Sequence, residues 1–235
     1  MRTALGGFAV ALGLVGGLGL LGHQIQTSVD NFIGRDRVVT VKGLSERLVE
    51  ADDVIWPITF RELGNDLAGV NATLDKRAEC IMAFLEAGGI ARDAMTLSTP
   101  RVEDAEANVY NGSKRAWRYA LTQTVTVHTT EVAKVRSLMA QQKKLLEEGV
   151  TLANDYGQQV EYAFTQLNNI KPAMIETATL NAREAALKFA KDSGSSLGKI
   201  RRANQGQFSI TDRDSTTAHI KKVRVVTTVE YFLKD

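Results

Sequence analysis

Residues 194–198 have the spacing of a catalytic serine motif. Their sequence, GSSLG, matches G-x-S-x-G and places Ser196 in the nucleophile position. A nucleophile elbow requires a strand, a sharp turn and then a helix, so that the serine hydroxyl projects above the sheet. Here an alanine-rich helical pattern precedes the two glycines and a strand pattern follows them, so the motif is better interpreted as a helix end. We therefore expect no hydrolase site at Ser196.

The histidines and the cysteine are the next candidates for catalysis or metal binding. His23, His128 and His219 are far apart in the sequence, and none has a second ligand at a spacing such as H-x-x-x-H. Cys80 is the only cysteine, which excludes an intrachain disulfide, and it lies in a helical pattern typical of a packed thiol. We expect no catalytic residue, no metal ligand and no cofactor, and therefore no enzymatic activity.

Basic residues near the C-terminus form the remaining candidate site. They would adjoin if the last two strands pair, and they are Arg201, Arg202, Lys221, Lys222 and Arg224. Such a patch suits an anionic ligand or a lipid headgroup; the alternatives are a solvated face or ion pairs between subunits. The whole chain has 29 Lys and Arg residues against 27 Asp and Glu. This near balance argues against a nucleic-acid partner, which favours a strongly basic surface.

An uncharged segment of eighteen residues, 4–21, precedes all of these positions. A helix of this length spans roughly 27 Å, close to the hydrocarbon thickness of a bilayer. A cleaved secretory signal is the alternative, but its apolar core is usually shorter and no Ala-x-Ala site follows here. We expect residues 1–24 to be a single-span anchor in the bacterial inner membrane. Arg2 should keep the N-terminus in the cytoplasm, which places the main domain in the periplasm.

Small residues recur at every fourth position of this segment, at Ala9, Gly13 and Gly17. They share one helix face and would let a second helix approach closely. Glycine-rich apolar segments also produce this pattern by chance. After the anchor, apolar residues at helical spacing in residues 25–37 predict a juxtamembrane stalk.

Residues 38–235 are predicted to fold as one α+β domain. The periodicities give the order β-β-α-β-β-α-β-α-β-β, with three helices on a largely antiparallel sheet. Residues 48–165 within it have the order of a split βαβ arrangement. Gly43 is expected to mark a turn. Pro57, which has no backbone N–H, is expected to mark an edge or a bulge in its strand.

Three stretches in this order carry a resemblance to a known family. They are VVTVKGLSE at 38–46, EADDVIWPITF at 50–60 and ATLNAREAALKFAKDSGSSLGKI at 178–200. Together they resemble the SIMPL-domain family of bacterial envelope proteins over about residues 38–233. The second stretch departs from the family's usual Pro-Asp pair, because Asp52 and Asp53 stand here without the proline.

This resemblance implies an exported protein. Some members of the family oligomerise into ring or channel-like assemblies, and some are linked to oxidative-stress resistance. The family has no agreed catalytic residues, so none is assigned here.

Self-assembly is the first hypothesis for function. Edge strands at Val38 and near Pro57 would invite pairing between subunits, and closed symmetry would give a ring, channel-like assembly or cage. The expected partners are further copies of the chain and, through the anchor, membrane lipid. We expect a structural or envelope stress-protection role. The alternative is a monomeric periplasmic ligand-binding or hydrolytic domain, which would need a concave pocket with converging polar groups.

Overall fold

The computed structural model describes residues 17–19, 21–22, 24, 37–107, 115–153 and 159–234. The chain is α+β with antiparallel pairing, as predicted, but the described strands form two sheets and not the one that was expected. In chain order its elements are β1 (Val38–Glu50), β2 (Asp53–Gly64), α1 (Leu67–Ala87), a 3-10 turn (Arg92–Ala94), β3 (Met95–Leu97), β4 (Arg101–Asp104), β5 (Tyr119–Thr129), α2 (Val132–Ala140), α3 (Lys143–Glu147), β6 (Glu161–Ala163), α4 (Leu167–Asp192), β7 (Ser196–Gln205), β8 (Ser209–Asp212) and β9 (Ile220–Lys234).

The predicted anchor and stalk lie almost entirely outside the described residues, and so do Ala9 and Gly13 of the predicted packing face. Gly17 is helical and exposed. In the part of the chain that the structure describes, no helix is both long and apolar enough to cross a membrane.

The chain divides into two compact units. Of the described residues, the first unit contains those within 1–47, 170–209 and 224–235, and the second contains those within 48–169 and 210–223. In the second unit the strand order is β3-β5-β2-β6, with β4 also paired to β5. Its paired strands are antiparallel. Since β2 and the β3–β4 segment are separated by β5, the predicted split βαβ arrangement is confirmed.

Alternating apolar residues of β2 build the core of the second unit. Val54, Trp56, Ile58 and Phe60 are all buried on the predicted face. From α1 the core receives Val70, Leu74, Ala78, Ile81 and Leu85, which repeat at three- and four-residue steps. Each large apolar side chain buried in this way contributes about 1.5–3 kcal/mol. Asp66 caps α1 by accepting from the amides of Ala68 and Gly69.

Pro57 does not lie on an edge strand, but the side of β2 that its nitrogen faces has no strand paired with it at that residue, so the edge prediction holds only locally. Along its whole length β2 pairs with β5, where Pro57 is opposite Thr126. On the other side, β6 pairs with β2 only at residues 53–55. Farther along that side, the Thr59 carbonyl and the Arg61 amide bond to residues 151–153. Because hydrogen bonding alternates along a strand, the missing N–H of Pro57 also faces this side, so the pairing with β5 loses no bond.

Gly43 does not mark a turn, because β1 runs through it to Glu50. The strand order that includes β1 is β1-β9-β7. β8, of which residues 210–212 belong to the second unit, also pairs with β9. A Cβ atom at Gly43 would lie 2.5 Å from the Ala182 amide nitrogen and would overlap the Ala178 carbonyl oxygen. Gly43 is therefore the residue that lets the backbone of α4 lie against β1. The buried alanines of α4, from Ala178 to Ala190, serve the same close approach.

Two predicted helices and one predicted strand have different limits in the structure. Apolar spacing in the sequence predicts one helix at 131–148, but in the structure it is interrupted at Gln141 and continues as α3. The sequence also predicts Pro172 at the first residue of the third helix; this helix begins at Leu167, so Pro172 lies inside α4. One strand is predicted at 197–211, and the structure divides it into β7 and β8.

Candidate functional site

Lys221 and Asp212 form a side-chain ion pair in the second unit. The Arg213 amide donates to the Ile220 carbonyl at 2.8 Å, which sets β8 and β9 so that Asp212 and Lys221 face each other across the hairpin. Lys221 is only 7% exposed. A buried ammonium group requires a counter-charge, and Asp212 supplies it.

The turn of this hairpin is held by the Asp214 carboxylate. It accepts from the amides of Thr216 and Thr217 at 2.9 and 2.8 Å, from both threonine hydroxyls and from Arg213 Nε at 2.8 Å. The Thr217 hydroxyl, Arg213 and the Thr216 hydroxyl together hold the pKa of Asp214 well below its usual range. The turn therefore fixes the hairpin that presents Asp212 and Lys221.

A cleft of about 440 Å³ opens beside the ion pair. Its lining comes from β6, the residues just before β6, and the β8–β9 hairpin: Gln159, Val160, Glu161, Tyr162, Asp212, Ala218 and Lys221. Two acidic residues, one lysine, one glutamine and one tyrosine therefore line a single concavity. Such an arrangement can hold a small polar molecule through charge-assisted hydrogen bonds.

Tyr162 lines the cleft, and His219 packs against its ring. Their rings meet edge to face at 6.1 Å between centroids, and the Tyr162 hydroxyl donates to Met139 Sδ at 3.6 Å. Burial raises the pKa of Tyr162, while burial and the nearby Arg136 lower the pKa of His219. Both side chains are therefore uncharged at neutral pH, and the charge of the cleft comes from Lys221, Asp212 and Glu161.

The predicted basic residues lie on β7 and β9, where most of them have an acidic neighbour. β7 and β9 do pair, but the register sets Arg202 opposite Glu230, and Arg201 forms an ion pair with Glu230 at 3.1 Å. Lys221, Lys222 and Arg224 lie at the other end of β9. Lys221 is committed to Asp212, and Arg224 lies 3.6 Å from Glu46. The arrangement fits internal ion pairs better than one anion-binding surface.

His128 has a carboxylate partner that sequence reasoning missed. Its Nε2 atom lies 3.0 Å from Asp53 Oδ1, because β2 begins where β5 ends in the antiparallel register. The neighbouring Asp52 accepts from the amides of Thr165 and Gln166 at 2.7 and 3.1 Å. The Asp-Asp pair therefore holds the segment that leads into α4 and contacts His128.

Ser196 lies in a helix–turn–strand segment, as predicted. α4 ends at Asp192, Gly194 takes a φ of 67° and β7 starts at Ser196. The Ser196 hydroxyl donates to the Lys234 carbonyl at 3.3 Å, while His128 and His219 contact Asp53 and Tyr162. The geometry therefore gives the hydrolytic alternative no support.

Cys80 donates its thiol hydrogen to Glu148 Oε2 at 2.6 Å. Burial and then the Glu148 carboxylate raise the pKa of Cys80 to about 11. Because the thiolate is the reactive form, this thiol is protected from electrophiles at neutral pH. Within the described ranges, no group of three His, Cys, Asp or Glu side chains is placed to hold a metal ion.

The comparisons with known proteins are consistent with this geometry. No curated protein matches the chain. The family model SIMPL, described as a protein of unknown function (DUF541), matches residues 39–231. This match spans β1 to β9 and most of the chain, and it includes the three stretches that carried the resemblance. The chain belongs to the SIMPL family.

Proposed function

We propose that this SIMPL protein is a membrane-anchored, periplasm-facing component of the bacterial envelope that assembles with copies of itself. Its role is structural or protective, and the assembly is a closed ring, channel-like body or cage. Support for the anchor comes from the apolar residues 4–21 and from Arg2 before them. Support for self-assembly comes from one observation, the free edge of β1.

β1 ends its sheet among the described strands, since its one hydrogen-bonded neighbour there is β9. It is thirteen residues long, and Leu44 on its outer face is 41% exposed. A long edge strand presents unpaired N–H and C=O groups that another chain can complete. This edge therefore supports self-association.

β7, at the opposite edge of the same sheet, is protected against pairing. Its register with β9 shifts between Leu197 and Ile200 and again before Arg202. It also carries exposed Lys199, Arg201 and Arg202. Bulges and clustered cations are the devices by which natural edge strands avoid association. β1 has regular alternation instead, so it is the edge that we assign to assembly.

The test is the molar mass of the full-length protein in mild detergent, measured by light scattering after size-exclusion chromatography. We expect a discrete multimer once the detergent contribution is subtracted, and a monomer would refute the proposal. Mass spectrometry of the same sample tests the anchor, because a product that begins near His23 would show cleavage. A C-terminal reporter that is active only in the cytosol would refute the orientation.

The cleft beside Lys221 favours a second candidate function, binding of a small polar molecule with an ammonium group. Its two acidic residues outnumber its one lysine, and Asp212 is paired with Lys221, so Glu161 would accept from the ammonium of the ligand. Methylammonium, ethanolamine and glycine are suitable probes in NMR titrations of the full-length protein in detergent. Shifts of cleft resonances that disappear in Glu161→Gln and persist in Glu176→Gln would support this function. The absence of shifts with all three probes would refute it.

A further inference from the structure

We infer that β1 pairs antiparallel with β1 of a second copy, across a two-fold axis at Leu44. The inference rests on the proposed self-assembly and names one of its contacts, since a two-fold contact by itself closes as a dimer and a larger closed assembly uses a second contact as well. The pairing would join two sheets into one continuous sheet, with both copies of α4 on the same face. Three features of β1 support this pairing: its outward backbone groups, its exposed side chains and the order of charges along it.

The backbone of β1 shows which of its groups are free. At one end, the Leu233 amide donates to the Arg37 carbonyl, and just beyond the other end the Ala51 amide donates to the His219 carbonyl. At both ends the bonded residue on the β1 side is odd-numbered, and the two bonds fit one antiparallel register. The backbone N–H and C=O groups of the odd-numbered residues of β1 therefore point toward β9. The N–H and C=O groups of Lys42, Leu44 and Glu46 therefore point outward.

Leu44 provides a check on this assignment. Its carbonyl accepts from Asn181 Nδ2 at 2.8 Å, a side chain of α4, rather than from an amide of β9. A carbonyl oxygen has two lone pairs, so Leu44 can also accept from the Leu44 amide of a second copy. Pairing over Lys42, Leu44 and Glu46 would form about six backbone hydrogen bonds between the copies.

The charge order of the strand selects one register. A two-fold axis at Leu44 sets Lys42 of each copy opposite Glu46 of the other, and Leu44 opposite Leu44. Directly opposed unlike charges stabilise an antiparallel pair, and like charges destabilise it. An axis at Lys42 would oppose two lysines, and an axis at Glu46 would oppose two glutamates. A shift of the axis by one residue loses both ion pairs.

Both charged groups are available for this contact. Lys42 is exposed, and its ammonium forms no ion pair with any other residue that the structure describes. Glu46 is exposed as well, and its in-chain neighbour Arg224 is 3.6 Å away. Val41 and Ser45 turn their side chains to the buried face of the strand. The exposed face thus presents a self-complementary row of one cation, one leucine and one anion.

Disulfide cross-linking at the axis tests this register. The natural cysteine is first replaced by Cys80→Ser, and Leu44→Cys is then introduced into the full-length protein. Residues opposite each other in a hydrogen-bonded pair have Cα atoms about 5.5 Å apart, within disulfide range. The matched control is Thr40→Cys on the same face, which would lie opposite a different residue of the partner.

We expect the Leu44→Cys protein to form a covalent dimer on mild oxidation roughly ten-fold faster than the Thr40→Cys protein. Equal rates, or no dimer, in a sample whose light-scattering mass is multimeric would overturn the β1 register and leave self-assembly standing. A monomeric mass in the same sample would overturn both.

Discussion

The backbone of α4 at Ala182 leaves no room for a side chain at Gly43 of β1, because the Ala182 amide nitrogen lies 2.5 Å from where the Cβ atom of residue 43 would be. We expect Gly43→Ala to destabilise the first unit by about 3 kcal/mol or more, since the obstructing atoms are backbone and cannot rotate away. Both tryptophans, Trp56 and Trp117, belong to the second unit. The measurement is therefore hydrogen exchange at the amides of β1 and α4.

Thr40→Ala is the control for this experiment, because Thr40 lies on the exposed face of the same strand. Its exchange should stay within about 0.5 kcal/mol of the parent protein. Equal protection in the two variants would mean that the close approach at Gly43 does not exist.

The Asp214 turn predicts a pH dependence. The pKa of Asp214 is depressed in the folded protein, so its contribution to stability is present above the ordinary pKa of about 4 and is lost as pH falls through the folded value. An NMR titration should place its midpoint below the ordinary range. Thr217→Val should move the midpoint toward 4, because it removes the hydrogen bond that lowers the pKa of Asp214 most. A midpoint near 4 in the parent protein would contradict the geometry.

Cys80 should resist alkylation. Its pKa of about 11 predicts that the rate with iodoacetamide rises about ten-fold per pH unit between pH 7 and 10. Glu148→Gln removes the carboxylate that opposes the thiolate and should raise the rate several-fold at pH 8. Asp75→Asn, on the exposed side of α1, is the control. If the Glu148 variant reacts at the parental rate, the thiol–carboxylate contact has no effect on the thiol.

Substitutions of Lys221 and of Asp212 should lower the free energy of unfolding by different amounts. Asp212→Asn leaves a buried ammonium without a counter-charge, and we expect a loss of about 1–3 kcal/mol. Lys221→Met removes the buried charge and leaves a half-exposed carboxylate that water can reach, so it should cost less. Urea denaturation followed by tryptophan fluorescence reports on this unit. The reverse order of stabilities would contradict the burial of Lys221.

Periodicity was sufficient to predict the elements that build the core. The spacing of Val54, Trp56, Ile58 and Phe60 indicated one buried strand face, and the structure confirms it. The roles of Gly43 and Pro57 were harder to predict, because each residue type has two structural uses in a strand. A strand glycine can serve a turn or a close approach, and a proline can occupy an edge or a local gap in a ladder.

The candidate cleft was not predictable from the sequence. Its polar groups come from β6, β8 and β9, and only the register of the β8–β9 hairpin places Asp212 opposite Lys221. The partners of the predicted basic residues depend on strand register in the same way. The pairing of β7 with β9 was foreseen, but the register that sets Arg202 opposite Glu230 was not. Local sequence patterns do not determine register, so contacts that depend on it could not be predicted.

Charge reversal on β1 tests the central claim, self-assembly through that edge, most directly. Light scattering on the full-length protein in mild detergent should show a smaller species for Lys42→Glu and for Glu46→Lys, because each places like charges opposite each other. The double variant Lys42→Glu, Glu46→Lys should recover the parental mass, and Lys76→Glu on the exposed side of α1 should leave it unchanged. Parental mass in both single variants would contradict the account.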